Sequence, residues 1–263
     1  VAAYVAELAD PPDDRGPRKV STINRRLAAI GEGHKVAGFD NPAAVPLVRE
    51  TVEGVPRHLG VAPTPKGGVA TADIRAATSE LGDRLIDHRD RLLLLFGFAG
   101  RFRRSELVAL DVTDVTDHAR GLLVRIRRSN TDQEAAGRTV EIAYGTSPAT
   151  CPVRAWRTWL DHTGLTAGPV LQAVNRHGTL SAQPLTGQAV ALIIKRHMRR
   201  LGYDSHDFAG HSLRRGMATT AAGNGAAERT IMRATGPSAT ATLRTYIEAA
   251  GEFTDPASAY LEL

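Results

Sequence analysis

The sequence predicts a mainly α protein with a small antiparallel β-sheet, divided into a helical N-terminal arm and a larger second domain. Three observations carry that expectation. Apolar residues recur at helical spacing over most of the chain, β-branched residues gather in short runs between positions 111 and 143, and Gly60 to Ala70 collects Pro63, Pro65, Gly67 and Gly68 in one stretch. The expected domains are therefore residues 1–62 and 71–263, with 63–70 as the linker. At 263 residues and 42% hydrophobic content, the chain can build a core in each.

In chain order, Val1 to Leu8 is apolar enough for a first helix, which Pro11-Pro12 and Gly16-Pro17 end. Ser21 or Thr22 is the expected cap of a second helix, with Ile23, Leu27 and Ile30 on its buried face and Arg25 and Arg26 pointing elsewhere. After a break from Gly38 to Pro46, Leu47 to Leu59 forms a third, disturbed by Pro56. Beyond the linker, Thr71 caps a helix reaching Leu81, and Arg84 to Ala99 forms a strongly apolar one that Gly100 ends before Ser105 caps the next turn. Asp111 to Val115, Leu122 to Arg127 and Arg138 to Ala143 read as strands, with Ala135-Ala136-Gly137 as a hairpin turn. Ala149 to Leu160 is a helix with Pro152 in its first turn and with Trp156 and Trp159 on one core face. Thr186 to Leu201 is another, and its Lys195, Arg196, Arg199 and Arg200 make the most basic face in the sequence.

Lys and Arg total 33 against 28 Asp and Glu, a net charge of +5 that suits a polyanionic partner. All but Lys19, Lys35, Lys66 and Lys195 are arginines, whose forked donors grip phosphate. The single cysteine, Cys151, excludes an intramolecular disulfide framework and a cysteine-rich zinc site, and His206 and Asp207 lack a compact third ligand, so no metal is expected. The longest apolar run, Leu92 to Ala99, is too short to cross a bilayer. With no signal sequence ahead of it, a cytoplasmic location is expected, without membrane contact. Gly-x-x-x-x-Gly-Lys, His-Glu-x-x-His and Gly-x-Ser-x-Gly are all absent, which removes the usual grounds for a nucleotide, a zinc hydrolase or a serine hydrolase.

The chemistry concentrates in the last third. His211 and Arg214 in Gly-His-Ser-Leu-Arg-Arg lie one turn apart on a helix and reach the same anion, for which phosphate is the natural choice. Tyr246 follows within Ala-Thr-Leu-Arg-Thr-Tyr-Ile, a helix-compatible run. A tyrosine hydroxyl becomes a nucleophile only beside a base or a cationic cluster. Arg101-Phe102-Arg103-Arg104-Ser105-Glu106-Leu107 supplies such cations upstream.

An arginine two residues before Ser-Glu-Leu, a later His-x-x-Arg and a final Tyr, in that order, resemble the tyrosine recombinase family, the phage-integrase class of site-specific DNA recombinases. The resemblance extends over most of the chain. It implies a DNA-clamping arm, truncated at its N-terminus by the family's first helix, followed by a catalytic domain. It implies double-stranded DNA as partner, a homotetramer on DNA, association with the nucleoid, and chemistry without cofactor, metal or nucleotide. By the same resemblance Arg103 and Arg214 clamp the scissile phosphate, His211 bonds the phosphate or assists removal of the Tyr246 proton, and Glu106 holds the Arg103 guanidinium in place. Arg25, Arg26, Lys35, Arg101, Arg104, Arg128, Lys195, Arg196, Arg199 and Arg215 become DNA contacts. Residues Phe253 to Leu263 become a segment for a neighbouring subunit or for the chain's own surface.

Two positions depart from the pattern. Asn130 stands where the family presents a lysine as general acid, and an amide has no proton to give at neutral pH. Pro237 stands where the family has histidine or tryptophan, and it cannot donate a hydrogen bond. The expectation is a recombinase with impaired catalysis. The alternatives are a catalytically degraded homologue that binds DNA, and an enzyme of the type IB topoisomerase kind.

Overall fold

A computed structural model describes residues 1–60, 68–127, 137–227 and 229–231. Chain contacts divide it into two compact units, Val1–Pro65 and Lys66–Leu263. No described helix is long and apolar enough to cross a membrane.

The first unit holds three helices, α1 (Ala2–Ala9), α2 (Val20–Val36) and α3 (Pro46–Leu59). Its core is small: Val5, Ala9, Ile23 and Val55 are buried, with Leu27 and Val52 packed against them. α2 begins earlier than Ser21 or Thr22 would cap it, because the Lys19 carbonyl already accepts from the Thr22 and Ile23 amides at 2.8 and 3.1 Å. Both hydroxyls therefore sit inside the first turn. α3 runs unbroken through Pro56. The proline removes one amide donor near the helix end, and its own carbonyl accepts from Gly60 N–H at 3.0 Å.

The second unit is built around α5 (Leu85–Ala99), whose Leu92, Leu93, Leu94, Leu95 and Phe96 are all buried. Over that stretch the helix is apolar on every side, which places it in the middle of the domain. α7 (Pro152–Thr163) packs beside it, stacking Trp156 on Phe96 with ring centroids 5.8 Å apart, while Trp159 Nε1 donates to the Val170 carbonyl at 2.9 Å. The remaining helices are α4 (Thr71–Ser79), α6 (Arg104–Val108), α8 (Gly187–Arg200) and α9 (Ser212–Gly223).

Strands β1 (Val115–His118), β2 (Gly121–Ile126) and β3 (Arg138–Ala143) form an antiparallel sheet in sequence order, with Val124 opposite Val140 and Leu122 opposite Ile142. These residues and Ile126 face the core, so the alternation of the strands sets which side is buried. A second antiparallel pair, β4 (Gln172–Val174) and β5 (Leu180–Pro184), is not anticipated by the sequence. Its composition is poor in β-branched residues, and the pairing is set instead by Asn175, whose Oδ1 accepts from the amides of His177 and Thr179.

Three further expectations shift. Asp111 to Val115 is not a strand: Asp111 Oδ1 accepts from Thr113 N–H and Oγ1–H, winding Val112–Asp114 into a 3-10 turn before β1 begins. Thr71 is the first residue of α4 and not its cap. The Asp73 carboxylate reaches back to Ala70 N–H at 2.8 Å, and the helix closes at Ser79 and not at Leu81. Ser105 is displaced in the same way, with Glu106 taking the Arg103 amide. Of the hairpin turn, Ala135 and Ala136 lie outside the described residues.

Candidate functional site

The site begins where α5 ends. A Cβ on Gly100 would lie 2.2 Å from the Phe102 ring, so the glycine leaves room for that ring to fold back beneath the helix. The reversal falls on Arg101, which takes φ 56 in the left-handed region that residues with a side chain seldom occupy. Such strain costs on the order of 1 kcal/mol or more and persists where the surroundings fix it. Its product is a carbonyl aimed across the domain, which accepts from Arg214 Nη1 at 2.8 Å.

Glu106 organises the other side. Its side chain is buried, its Oε2 accepts from the Arg103 amide at 2.8 Å, and its Oε1 accepts from Arg103 Nη1 at 2.8 Å. Arg138, at the start of β3, donates from Nη2 to the same Oε2 at 2.9 Å. One carboxylate thus holds two guanidinium groups and the first turn of α6. Arg138 escapes sequence reasoning, because a strand residue 32 positions away carries no local sign of its partner.

α9 delivers Arg214 and His211 by close backbone contact. Val69 N–H donates to the Ser212 carbonyl at 3.1 Å, and a Cβ on Gly216 would stand 1.8 Å from the Val69 carbonyl oxygen. Only glycine permits that approach. Arg104 is wedged similarly: its aliphatic stem runs between Gly187 and Gly210, where added Cβ atoms would meet it at 3.0 and 2.6 Å.

The electrostatics follow from the crowding. Burial, then Arg103, with Arg138 and Arg101 adding to it, pushes the Arg214 guanidinium down to about 10, partly offset by Glu106, and it remains charged at neutral pH. Arg101 is lowered by burial and by Arg138. His211 is held below the ordinary imidazole value by burial and by Arg104, Arg214 and Arg103. It is therefore uncharged at neutral pH, able to accept a proton or a hydrogen bond.

Arg103, Glu106, His211 and Arg214 thus lie within one another's electrostatic reach, with Arg101 and Arg104 at their edge. Asn130, Arg128, Pro237, Tyr246 and the segment from Phe253 lie outside the described residues. Arg25, Arg26 and Lys35 are exposed on α2, where Arg26 Nη1 donates to the Tyr4 hydroxyl at 2.9 Å. Arg215 is half-buried on α9 and Lys195 half-buried on α8, and Arg199 is exposed with its Nη2 donating to Ser205 Oγ at 3.0 Å. Arg196 is spent internally on the buried Asp90 of α5, which also meets His197 Nε2 at 2.9 Å and Arg89 Nε at 2.7 Å.

Comparison with known proteins identifies the family and the fold. Residues 71–252 match the model of the phage integrase family. An integrase/recombinase xerD homolog of Selenomonas ruminantium is 35% identical over 98% of this chain and 75% of its own length. Among solved structures, the Tn1549 transposon integrase in complex with a circular intermediate DNA superposes with a TM-score of 0.62 at 13% identity, covering 93% of this chain and 79% of that one. The XerH site-specific recombinase bound to its palindromic difH substrate gives 0.59 at 14% identity, covering 94% and 73%. At these identities the solved structures speak for the fold.

Proposed function

This chain belongs to the phage integrase family, the DNA strand-transferring tyrosine recombinases, and on that premise we propose that it binds duplex DNA and exchanges strands through a 3′-phosphotyrosyl intermediate on Tyr246. The observation that supports this most directly is the cationic cluster in which Arg103 and Arg138 bond the buried Glu106 carboxylate and Arg214 lies within their field. A site with more guanidinium than carboxylate is an electrostatic host for a phosphodiester.

In this scheme Arg103 and Arg214 bind the two non-bridging oxygens and stabilise charge that grows at the pentacovalent transition state. The Tyr246 oxygen forms its bond to phosphorus as the bond to the 5′-oxygen breaks, and uncharged His211 receives the phenolic proton or bonds the phosphate. The leaving 5′-oxygen acquires its proton from water, since Asn130 has none to give. Attack by a partner strand's 5′-hydroxyl reverses the step, with no net loss of bond energy. Lys195, Arg199 and the α2 cations serve as backbone contacts, and four copies assemble on DNA, with the C-terminal segment as the exchanged element. Asn130 and Pro237 support a second reading, that of a DNA-binding homologue with little or no cleavage.

A nicked duplex that traps the covalent intermediate separates the two. The enzyme gives a protein–DNA adduct that disappears in Tyr246→Phe, whereas a binder gives a mobility shift without adduct. Adduct formation followed by relaxation of supercoiled DNA without exchange would favour a topoisomerase. The double change Asn130→Lys with Pro237→His is expected to speed adduct formation by about tenfold or more, because it restores an acid and a phosphate donor. A rate no higher than that of the parent would refute the placement of those two residues.

A further inference from the structure

At the far end of α5 from the arginine cluster, three metal-ligating side chains converge: Asp83 just ahead of the helix, His88 in its first turns, and His162 in the last turn of α7. We infer that Asp83, His88 and His162 form a binding site for a zinc-like transition-metal ion, which staples the start of α5 to the end of α7. The donor atoms all lie within 4.8 Å of one another. A tetrahedral ion with bonds of about 2.0–2.2 Å needs its ligand atoms about 3.2–3.6 Å apart, so the widest pair must close by at most about 1.2–1.6 Å. Asp83 and His162 are exposed, and the Asp83 side chain can swing to close that distance.

His88 supplies the decisive observation. It is 5% exposed, and its Nε2 is met only by the exposed Asp83 carboxylate, whose Oδ1 stands 2.9 Å away in an ion-pair contact outside good hydrogen-bond direction. A buried imidazole nitrogen already drawn to a carboxylate, without a well-directed hydrogen bond between them, is placed to share a cation with it. His162 is prepared for the same role. Its Nδ1 donates to the Thr158 carbonyl at 2.8 Å, which fixes the hydrogen there and leaves the Nε2 lone pair outward, as ligand histidines are commonly held. The two imidazoles already lie side by side, with centroids 4.0 Å apart and planes tilted by 36°.

Arg91 Nη1 opposes this by approaching His88 Nδ1, but at 3.5 Å the contact is weak, and the same guanidinium is anchored through Nη2 on the Leu81 and Gly82 carbonyls at 2.8 and 3.3 Å. The Asp83 carboxylate offsets its charge. Two imidazoles and one carboxylate suit zinc, copper or nickel far better than magnesium or calcium, with water completing the shell. His88 lies about 17 Å along the helix from its C-terminal end, so this ion is a structural clamp outside the strand-transfer chemistry.

Equilibrium dialysis of the DNA-free full chain against Zn²⁺, followed by metal analysis and thermal melting, tests the site. The expected result is about one Zn²⁺ per chain and a melting temperature that rises with Zn²⁺ and not with Mg²⁺. His162→Ala and Asp83→Ala, both exposed and so expected to fold, each weaken uptake about tenfold or more, while His206→Ala, an exposed histidine elsewhere, leaves it unchanged. Uptake that both site variants retain in full, or a melting temperature indifferent to Zn²⁺, overturns the inference. Adduct formation at Tyr246 reports on neither outcome, so the clamp and the proposed reaction stand or fall separately.

Discussion

Replacing Arg214 by alanine is expected to lower the rate of adduct formation on a nicked duplex by about 10²–10³-fold while leaving the melting temperature of the free protein unchanged or raised. The two halves of that result come from one fact. Arg214 is half-buried and sits within the fields of Arg103, Arg138 and Arg101, with Glu106 as the carboxylate that offsets them, and its affinity for its own proton is lowered to about 10 as a consequence. Lowering by burial and like charge means that the folded protein holds this cation at a cost. Removing it relieves repulsion, with the hydrogen bond to the Arg101 carbonyl among the contacts given up. With a phosphodiester in place the sign reverses, because the concentrated positive charge meets the charge developing on phosphorus. Arg214→Lys keeps the charge and loses the fork, so it recovers only part of the rate. If activity and melting temperature fall together, Arg214 is a structural residue and the site has been misassigned.

The residues of this site were legible in the sequence to different degrees, and the differences are physical. Ser105-Glu106-Leu107 and His211-x-x-Arg214 are local patterns, and the register that singles out Arg103 is fixed by counting from them. The helix starts were misjudged at Ser105 and Thr71 for a shared reason. A hydroxyl was assigned the capping bond, whereas a carboxylate three residues into each helix, Glu106 or Asp73, reaches back to the preceding amide instead. Arg138 and Arg196 were illegible because each is paired with an acid far away in the chain, and nothing in the neighbourhood of either announces it. The basic face of α8 therefore read as uniformly available, although Arg196 is turned to Asp90. The left-handed backbone at Arg101 was hidden too, since a sequence shows a glycine beside it and assigns the turn there.

Asp90→Ala is expected to destabilise the second unit by about 3–5 kcal/mol at neutral pH, the largest stability effect of any single change considered. The carboxylate is 2% exposed and is met by Arg89, Arg196 and His197, of which Arg89 and His197 are themselves buried at 4% and 1%. Deleting it strands the buried Arg89 guanidinium and leaves the buried His197 Nε2 without this contact, which costs far more than the pairs contribute while intact. For a unit of this size the melting temperature should drop by about 6–20 °C. The pH dependence fixes the cause. Burial alone would raise the Asp90 carboxyl, but the His197 hydrogen bond and the charges of Arg89 and Arg196 outweigh it, so the folded value lies below the ordinary carboxylate range. A group depressed in this way contributes stability that is complete above its unfolded value of about 3.9 and is lost as the pH falls through the folded one. The gap between wild type and Asp90→Ala in urea unfolding should accordingly be constant near neutrality and narrow below about pH 4. A gap that does not change with pH would mean that the loss comes from packing and not from charge. Because Asp90 docks α8 onto α5, and Gly187 at the start of α8 bears on the Arg104 stem, the same substitution should also slacken Arg104 beside His211. Its mark on DNA binding will then be a weaker affinity that partly recovers when the α5–α8 contact is restored by a well-packed apolar replacement for the whole network.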